Sequence, residues 1–386
     1  MTYGTKPFHT PFPHNPDTFS PGVGRAYTTG HAIQVAARFV DTLVDHYLRA
    51  DSPGEINSSV VINNGQFRLA GVVSNPPAIS YHEVMVDVLA QTGHAALGEG
   101  SCGHGYEVVD LLQGGPVDPE LAGLFPYSVL FPPNARGLGI FGGYATDETE
   151  TLMPLPRVLA RRLAQQIETD HAAGLAACLC PGAHVQVHIA YRQGVAEQVQ
   201  GVTLEVGYRP GATAEQCRLY ITERLLPRGL AEWWHKDIVV EIGTRDCTTE
   251  PGTQLGYGRS GKDLLSENYD GAGWHAGNTI YGVYPTRLAR CVPYACRWVA
   301  RRIIREKLAN RVEVYAAYRG DDQKPWAIRA EPFGTGDPAK IEAYIREHFS
   351  FDRQEIVDQL GLRKVSYADT ARYGHFGHPG FPWEQD

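Results

Sequence analysis

The sequence predicts an α+β protein of layered sheets and helices, and three observations carry that expectation. Apolar residues recur at helical spacing over 31–50, where Ile33, Ala37, Val40, Val44 and Leu48 share one face. Asn63-Asn64-Gly65 stands between the β-branched run Val60-Val61-Ile62 and a second apolar run at Phe67, Leu69, Val72 and Val73. Asn and Gly accept positive φ, so this is a hairpin signal. Strand-like and helix-like segments then repeat in β-β-α groups, which suits α+β layers better than a doubly wound parallel sheet.

Taken in order, the first helix ends before Asp51-Ser52-Pro53-Gly54, a strong stop. Pro76-Pro77 breaks the hairpin region, and helical periodicity resumes over 81–91. Gly114-Gly115-Pro116 and Pro132-Pro133 bound irregular segments. A helix is expected over 152–166, with Pro154 and Pro156 confined to its start. Residues 185–191 alternate as a strand, and 202–208 can pair with them. Further helices are expected near 215–226, 292–308, 338–348 and 353–360, with strands near 238–242 and 312–318.

At 386 residues the chain can bury two or three separate cores. Its 43% apolar and 20% charged content is that of an ordinary globular protein. A net charge of −8 argues against a nucleic-acid partner, which calls for a basic field. Arginines cluster at Arg157, Arg161, Arg162 and at Arg297, Arg301, Arg302, Arg305, a spacing that suits solvated helix faces. No apolar run approaches the roughly 20 residues that span a bilayer, so no membrane partner is expected. Residues 1–24 are rich in Pro, Gly, Thr and His and lack the pattern of a secretory signal. They read as an arm on a cytoplasmic protein. Seven scattered cysteines suit a reducing compartment, and Cys178-x-Cys180 lacks the second ligand pair of a zinc site. Gly137-Leu138-Gly139 is too short for a dinucleotide fingerprint.

Several motifs carry a resemblance. Tyr373-Gly374-His375-Phe376-Gly377 is followed by Phe381-Pro382-Trp383-Glu384. Gly143-Tyr144-Ala145-Thr146-Asp147-Glu148-Thr149 precedes Leu152-Met153-Pro154-Leu155-Pro156. Arg290, Tyr294-Ala295, Arg297 and Phe333-Gly334-Thr335 fall in matching order. Over residues 18–384 the chain resembles the methionine adenosyltransferases, or S-adenosylmethionine synthetases. The resemblance implies three similar α/β domains about a pseudo-threefold axis, with sheets packed across a homodimer interface. The implied division is an arm at 1–17 and domains at 18–125, 126–255 and 256–386, with segments crossing between them.

The family's reaction joins methionine sulfur to C5′ of ATP and then hydrolyses the released triphosphate. It uses magnesium on carboxylates, a potassium site and several cations around the phosphates. This chain departs at those positions. The family's Gly-His-Pro-Asp-Lys is Gly30-His31-Ala32-Ile33-Gln34 here, and an Ile cannot ligate magnesium. The potassium-binding Glu falls at Ser59 and the methionine-contacting Glu near Val72. The glycine-rich loop at 134–139 carries no carboxylate, and the Asp-x-Lys of the central domain is Gly182-Ala183-His184. Gly-Arg-Lys becomes Gly261-Lys262-Asp263, and in 283–289 only Arg287 keeps a charge. The adenine-stacking aromatic falls near Thr248. One lost electrostatic donor costs about 10²–10³ in rate, so ordinary S-adenosylmethionine synthesis is not expected.

The replacements are polar and mostly neutral, which suits a ligand with hydroxyls or amides and modest charge. His31, His184 and Asp263 are the candidate catalytic residues, since an imidazole serves as acid or base near neutrality. Gln34, Asn63, Asn64, Lys262, His275, Asn278, Tyr281 and Arg287 are the candidate substrate contacts. No His-x-x-x-His or paired Cys supports a metal centre, and no cofactor is expected. The expected function is metal-independent acid–base chemistry on S-adenosylmethionine, a related nucleoside or a small amino-acid derivative, with a place in specialised metabolism. The alternatives are a non-catalytic ligand-binding or partner subunit of an active synthetase, and an unusual ATP:L-methionine S-adenosyltransferase. The expected partners are a small-molecule ligand and further copies of the chain, as a homodimer or tetramer.

Overall fold

A computed structural model describes residues 20–50, 54–63, 65–94, 106–115, 139–246, 256–261, 268–273, 280–319 and 322–385. Three sheets organise these residues, and each has one long helix against it. The first sheet, in spatial order, contains β4 (Glu107–Gly115), β3 (Gln66–Ser74), β2 (Glu55–Asn63) and the short β9 (Gly258–Arg259). Helix α1 (Ala32–Arg49) lies on it, with α2 (Tyr81–Gln91) alongside. The second sheet orders β1 (Ser20–Tyr27), β6 (Leu179–Arg192), β7 (Val195–Tyr208) and β8 (Val239–Asp246). Helix α3 (Leu155–Ala172) packs on β1 and β6. The third sheet orders β11 (Ala327–Glu331), β10 (Arg311–Tyr318) and β5 (Gly139–Thr146) beneath helix α6 (Leu288–Arg305). Between β7 and β8 run α4 (Ala214–Tyr220), a π-helical turn and α5 (Leu226–Leu230). The chain ends with α7 (Pro338–His348), α8 (Arg353–Gln359) and α9 (Tyr367–Thr370). The fold is therefore mixed α and β, as expected.

The sheets draw strands from distant parts of the chain. β1 pairs antiparallel with β6, β5 with β10, and β9 with β2. The hairpin at 63–65 forms, with Asn63 opposite Gln66. The helix expected over 152–166 starts later and runs to Ala172, because Leu152 adopts φ 55° and Pro154 occupies the cap. Residues 20–24, expected in an N-terminal arm, belong to β1; residues 1–19 lie outside the described residues. Among the described residues, no helix is long and apolar enough to cross a membrane.

The arginine clusters depart most from the sequence expectation. Arg157, Arg161, Arg297 and Arg301 are buried, not solvated. Helical periodicity marks a polar face but cannot say whether water or another chain segment covers it. Here the cover is the C-terminal segment. Arg157 donates to the Tyr373 carbonyl at 2.7 Å, and Arg161 to those of Phe376 and Gly377 at 3.0 and 2.9 Å. Arg297 grips Glu384 with two bonds of 2.8 and 2.9 Å and donates to the carbonyls of Tyr144, Thr151 and Leu152. Gly143 completes this join: a Cβ there would sit 2.2 Å from the Arg297 nitrogen, so only glycine lets α6 approach β5 so closely. Arg162, by contrast, is only half-buried, beside the exposed Glu232.

A second buried ion pair ties α1 to the rest. Arg290 donates to both carboxylate oxygens of Asp41 at 2.8 and 2.9 Å, with both side chains wholly buried. Gly282 N and Thr370 Oγ1 also donate to Asp41, and Arg290 lies 3.9 Å above the Tyr367 ring. Farther along α1, Asp45 caps the last helix by accepting from Tyr367 and Ala368 nitrogens. Such saturation is what lets charged groups remain inside.

Candidate active site at the start of helix α1

The turn joining β1 to α1 is pinned on every side. The Thr28 hydroxyl donates to the Pro181 carbonyl and accepts from the Ala183 nitrogen, both at 2.7 Å. Thr29 N donates to Glu168 Oε1 at 2.5 Å. Gly30 lies against Pro181, and His94 Nε2 bonds the Gly30 carbonyl at 2.7 Å. His31 N then donates back to the Thr28 carbonyl, closing the turn.

His31 is the N-cap of α1, and its Nδ1 accepts from Ile33 N at 3.3 Å. That bond occupies the Nδ1 lone pair, so the neutral ring carries its proton on Nε2. His184 lies across the sheet opposite Tyr27 in the β1–β6 register. The Tyr27 ring sits beside both imidazoles, with centroids 4.6 Å from His31 and 4.6 Å from His184, the latter nearly parallel at 15°. His184 Nδ1 is 3.8 Å from the carboxylate of Glu205, itself 73% exposed. The structure thus gathers two of the three expected catalytic residues around one ring.

Sequence reasoning missed the other members. Tyr27 gave no signal, because its place depends on pairing with a strand more than 150 residues away. His94 follows the stop of α2 and reaches Gly30 only through the tertiary fold. Burial holds the His94 imidazole below the usual histidine range, and the Gly30 carbonyl partly counters this.

The expected substrate contacts divide. Gln34 is buried in the first turn of α1. β9 brings 258–261 to the same end of the helix: a Cβ on Gly258 would sit 2.3 Å from the Ala32 carbonyl oxygen, so glycine is required. Ile62 pairs with Gly258, which puts the exposed Asn63 at the rim of this region. Tyr281 lies instead in the core, 4.3 Å from His375, beside the Asp41 stretch of α1. Arg287 precedes α6 and stands 3.7 Å from Glu55, at the opposite end of β2 from Asn63. Eight residues of strand separate those ends by about 26 Å, so Arg287 is not brought to the His31 turn. Asn64, Lys262, Asp263, His275 and Asn278 lie outside the described residues, as do 134–138 and Thr248.

The family's metals can be tested against the donors present. Ile33 is buried and, like Ser59 and Ala289, offers no carboxylate. Among the described residues, no three His, Cys, Asp or Glu side chains are gathered as a metal would need. Magnesium prefers several hard oxygen donors, and this described donor set does not fit it.

Comparison with known proteins agrees with the frame. Residues 134–245 match the model of the S-adenosylmethionine synthetase central domain, and 251–385 that of the C-terminal domain. The S-adenosylmethionine synthase of Desulforudis audaxviator is 29% identical over 373 residues, covering 93% of this chain and 94% of that one. That of Salinibacter ruber is 28% identical over 372 residues, covering 92% and 93%. That of Thermus thermophilus is 27% identical, covering 93% and 94%. Matches to two successive domain models and to full-length relatives place this chain in the S-adenosylmethionine synthetase family.

Proposed function

We propose that this chain is an enzyme that uses the synthetase frame for metal-independent acid–base chemistry. Its substrate is S-adenosylmethionine, a related nucleoside or a small amino-acid derivative. The observation that carries this reading is the pair of imidazoles packed on Tyr27, beside the turn that carries Ile33, where the resemblance implies a metal carboxylate. His31, with Nδ1 held by Ile33 N, offers Nε2–H as donor and acid. His184, with Glu205 loosely beside Nδ1, accepts a proton as base. Gln34 and Asn63, with Asp263 and Lys262 beyond β9, supply neutral and charged contacts to the ligand. The working form is a homodimer or tetramer.

Calorimetry with S-adenosylmethionine, adenosine, methionine and ATP tests the ligand class. Saturable binding of one of the first three without magnesium, with turnover lost in His31→Ala, supports the reading. A second reading is favoured by the relatives, which are named S-adenosylmethionine synthases and match along nearly their whole length. Formation of S-adenosylmethionine from ATP and methionine with magnesium and potassium, insensitive to His31→Ala, would replace the first reading by the second.

A further inference from the structure

Behind the His31 turn, α3 and the C-terminal segment enclose a cleft of about 840 Å³ lined by Glu168, Thr169, Asp369, Arg372, Tyr373 and His378. That volume is in the range of small-molecule sites. Its charges are mixed. Arg372 and Glu168 stand 3.8 Å apart, too far for a tight hydrogen-bonded pair, and Asp369 is exposed at the rim. Arg38, two turns along α1 from His31, feels the charges of Asp369, Arg372 and Glu168. Two carboxylates and the Arg372 guanidinium thus line one concavity, an arrangement complementary to a ligand that carries both charges.

His378 adds a neutral group. Its Nε2 stands 3.3 Å from both Arg161 Nη1 and the Tyr373 carbonyl. A guanidinium can only donate, whereas that carbonyl already accepts from Arg157, so Nε2 accepts and the ring proton lies on Nδ1. Burial, reinforced by Arg161, lowers the His378 pKa to about 3, so the ring stays uncharged near neutrality. Glu168 is the link to the candidate active site. One of its oxygens holds Thr29 N at 2.5 Å, two residues before His31, while the other faces Arg372 and the carboxylate also bonds the Tyr373 side chain.

We infer that this cleft is a second small-molecule site, selective for a zwitterion of α-amino-acid type, whose occupancy is transmitted to the His31 turn through Glu168. The ligand carboxylate pairs with Arg372, and its ammonium group lies between Asp369 and Glu168. Drawing Glu168 toward the ammonium loosens its hold on Thr29. The site is separate from the two imidazoles on Tyr27 and does not depend on what reaction they perform.

The test is an NMR titration of the full chain with L-alanine, methylammonium and acetate as probes. L-Alanine is expected to give saturable amide shifts at Asp369 and Arg372, at concentrations about fivefold below those needed by either half-molecule. Arg372→Gln and Asp369→Asn, both exposed, should each weaken binding by about fivefold without unfolding the chain. His31→Ala should leave this binding unchanged, which separates it from the active-site reading. Saturation should also shift the His31 and Ile33 amides, and Glu168→Gln should abolish that response. Non-saturating shifts, equal binding of acetate or methylammonium, or indifference to both charge-removing substitutions would overturn the site. Saturable binding with no response at His31 would overturn the transmission.

Discussion

The segment at 373–384 and the turn at 28–34 are built with the same care and to different ends. In the first, buried guanidinium groups close several carbonyls and the Glu384 carboxylate, and Trp383 stacks on Tyr294 at 3.7 Å. Its polar groups are consumed by packing. In the second, hydrogen bonds fix the backbone, while the side chains of His31 and His184 are arrayed on the Tyr27 ring. The motifs by which the sequence resembles its family fall mainly in the first kind of region, whereas Ile33 and His184, read from the sequence as replacements, lie at or beside the second. A frame held by its own internal contacts does not depend on the side chains presented at the turn.

The largest effect should come from breaking the frame. Arg297→Ala leaves the Glu384 carboxylate, with its side chain 3% exposed, without its bidentate partner. Losing one half of such a buried pair costs about 3–5 kcal/mol, read as a fall in unfolding free energy by urea denaturation. Arg301, also near Glu384 at 3.2 Å, would temper that loss. If Arg297→Lys restored stability to within experimental error, the fork geometry would matter little and charge alone would hold the join.

His31→Ala should do the opposite. Removing an N-cap costs about 1 kcal/mol of stability, while loss of a positioned proton donor costs about 10²–10⁴ in turnover. Steady-state kinetics on whichever ligand calorimetry identifies, run beside urea melts, give both numbers. A variant destabilised as strongly as Arg297→Ala, or one that keeps full turnover, would erase the distinction between the two regions.

How much of the molecule was legible follows the same division. The bounds of α2 and α7 and the 63–65 hairpin came from local patterns, apolar spacing and turn residues that act over a few positions. The motifs around Tyr144 and Phe376 identified the frame, because their residues meet specific partners in the core. The burial of Arg157 and Arg297 was not legible, since a polar helix face looks the same whether it meets water or carbonyls. The packing of His31 and His184 on Tyr27 was half legible: His31 stood out as the retained residue of its signature and His184 as a replacement, but the ring beside them appears only once β1 pairs with β6. His94 carried no local signal.

A pH titration sharpens the comparison from the side of the frame. Burial, reinforced by the neighbouring Arg161 and by Arg157 and Arg372, lowers the folded pKa of His378 to about 3. The unfolded value is about 6.5, so between those values the unfolded chain binds one proton more. Unfolding free energy should then fall as pH drops, by about 1.4 kcal/mol per pH unit from this group. His94 and His171 are lowered too and add to the slope. Asp45 and Glu55, whose carboxyls burial pushes up, protonate earlier in the folded chain and offset part of it at lower pH. His378→Gln should flatten the dependence between pH 6 and pH 5, and an unchanged slope would refute the assignment.

The smallest expected effect separates geometry from charge at the turn itself. Glu205 lies 3.8 Å from His184 Nδ1 but is 73% exposed, so water screens the pair. Exposed pairs of this kind contribute about 0.2–1 kcal/mol. Glu205→Gln should therefore lower turnover by no more than about fivefold and leave the melting curve in place, with a modest downward shift in the pH–rate limb set by His184 as its imidazolium loses its partner. Tyr27→Leu, by contrast, removes the surface on which both imidazoles lie. If the ring sets their orientation, its loss must exceed that of Glu205→Gln. If Glu205→Gln is the more damaging substitution, then a carboxylate–imidazole pair, not the aromatic contact, orders the site, and the roles of Tyr27 and Glu205 exchange places.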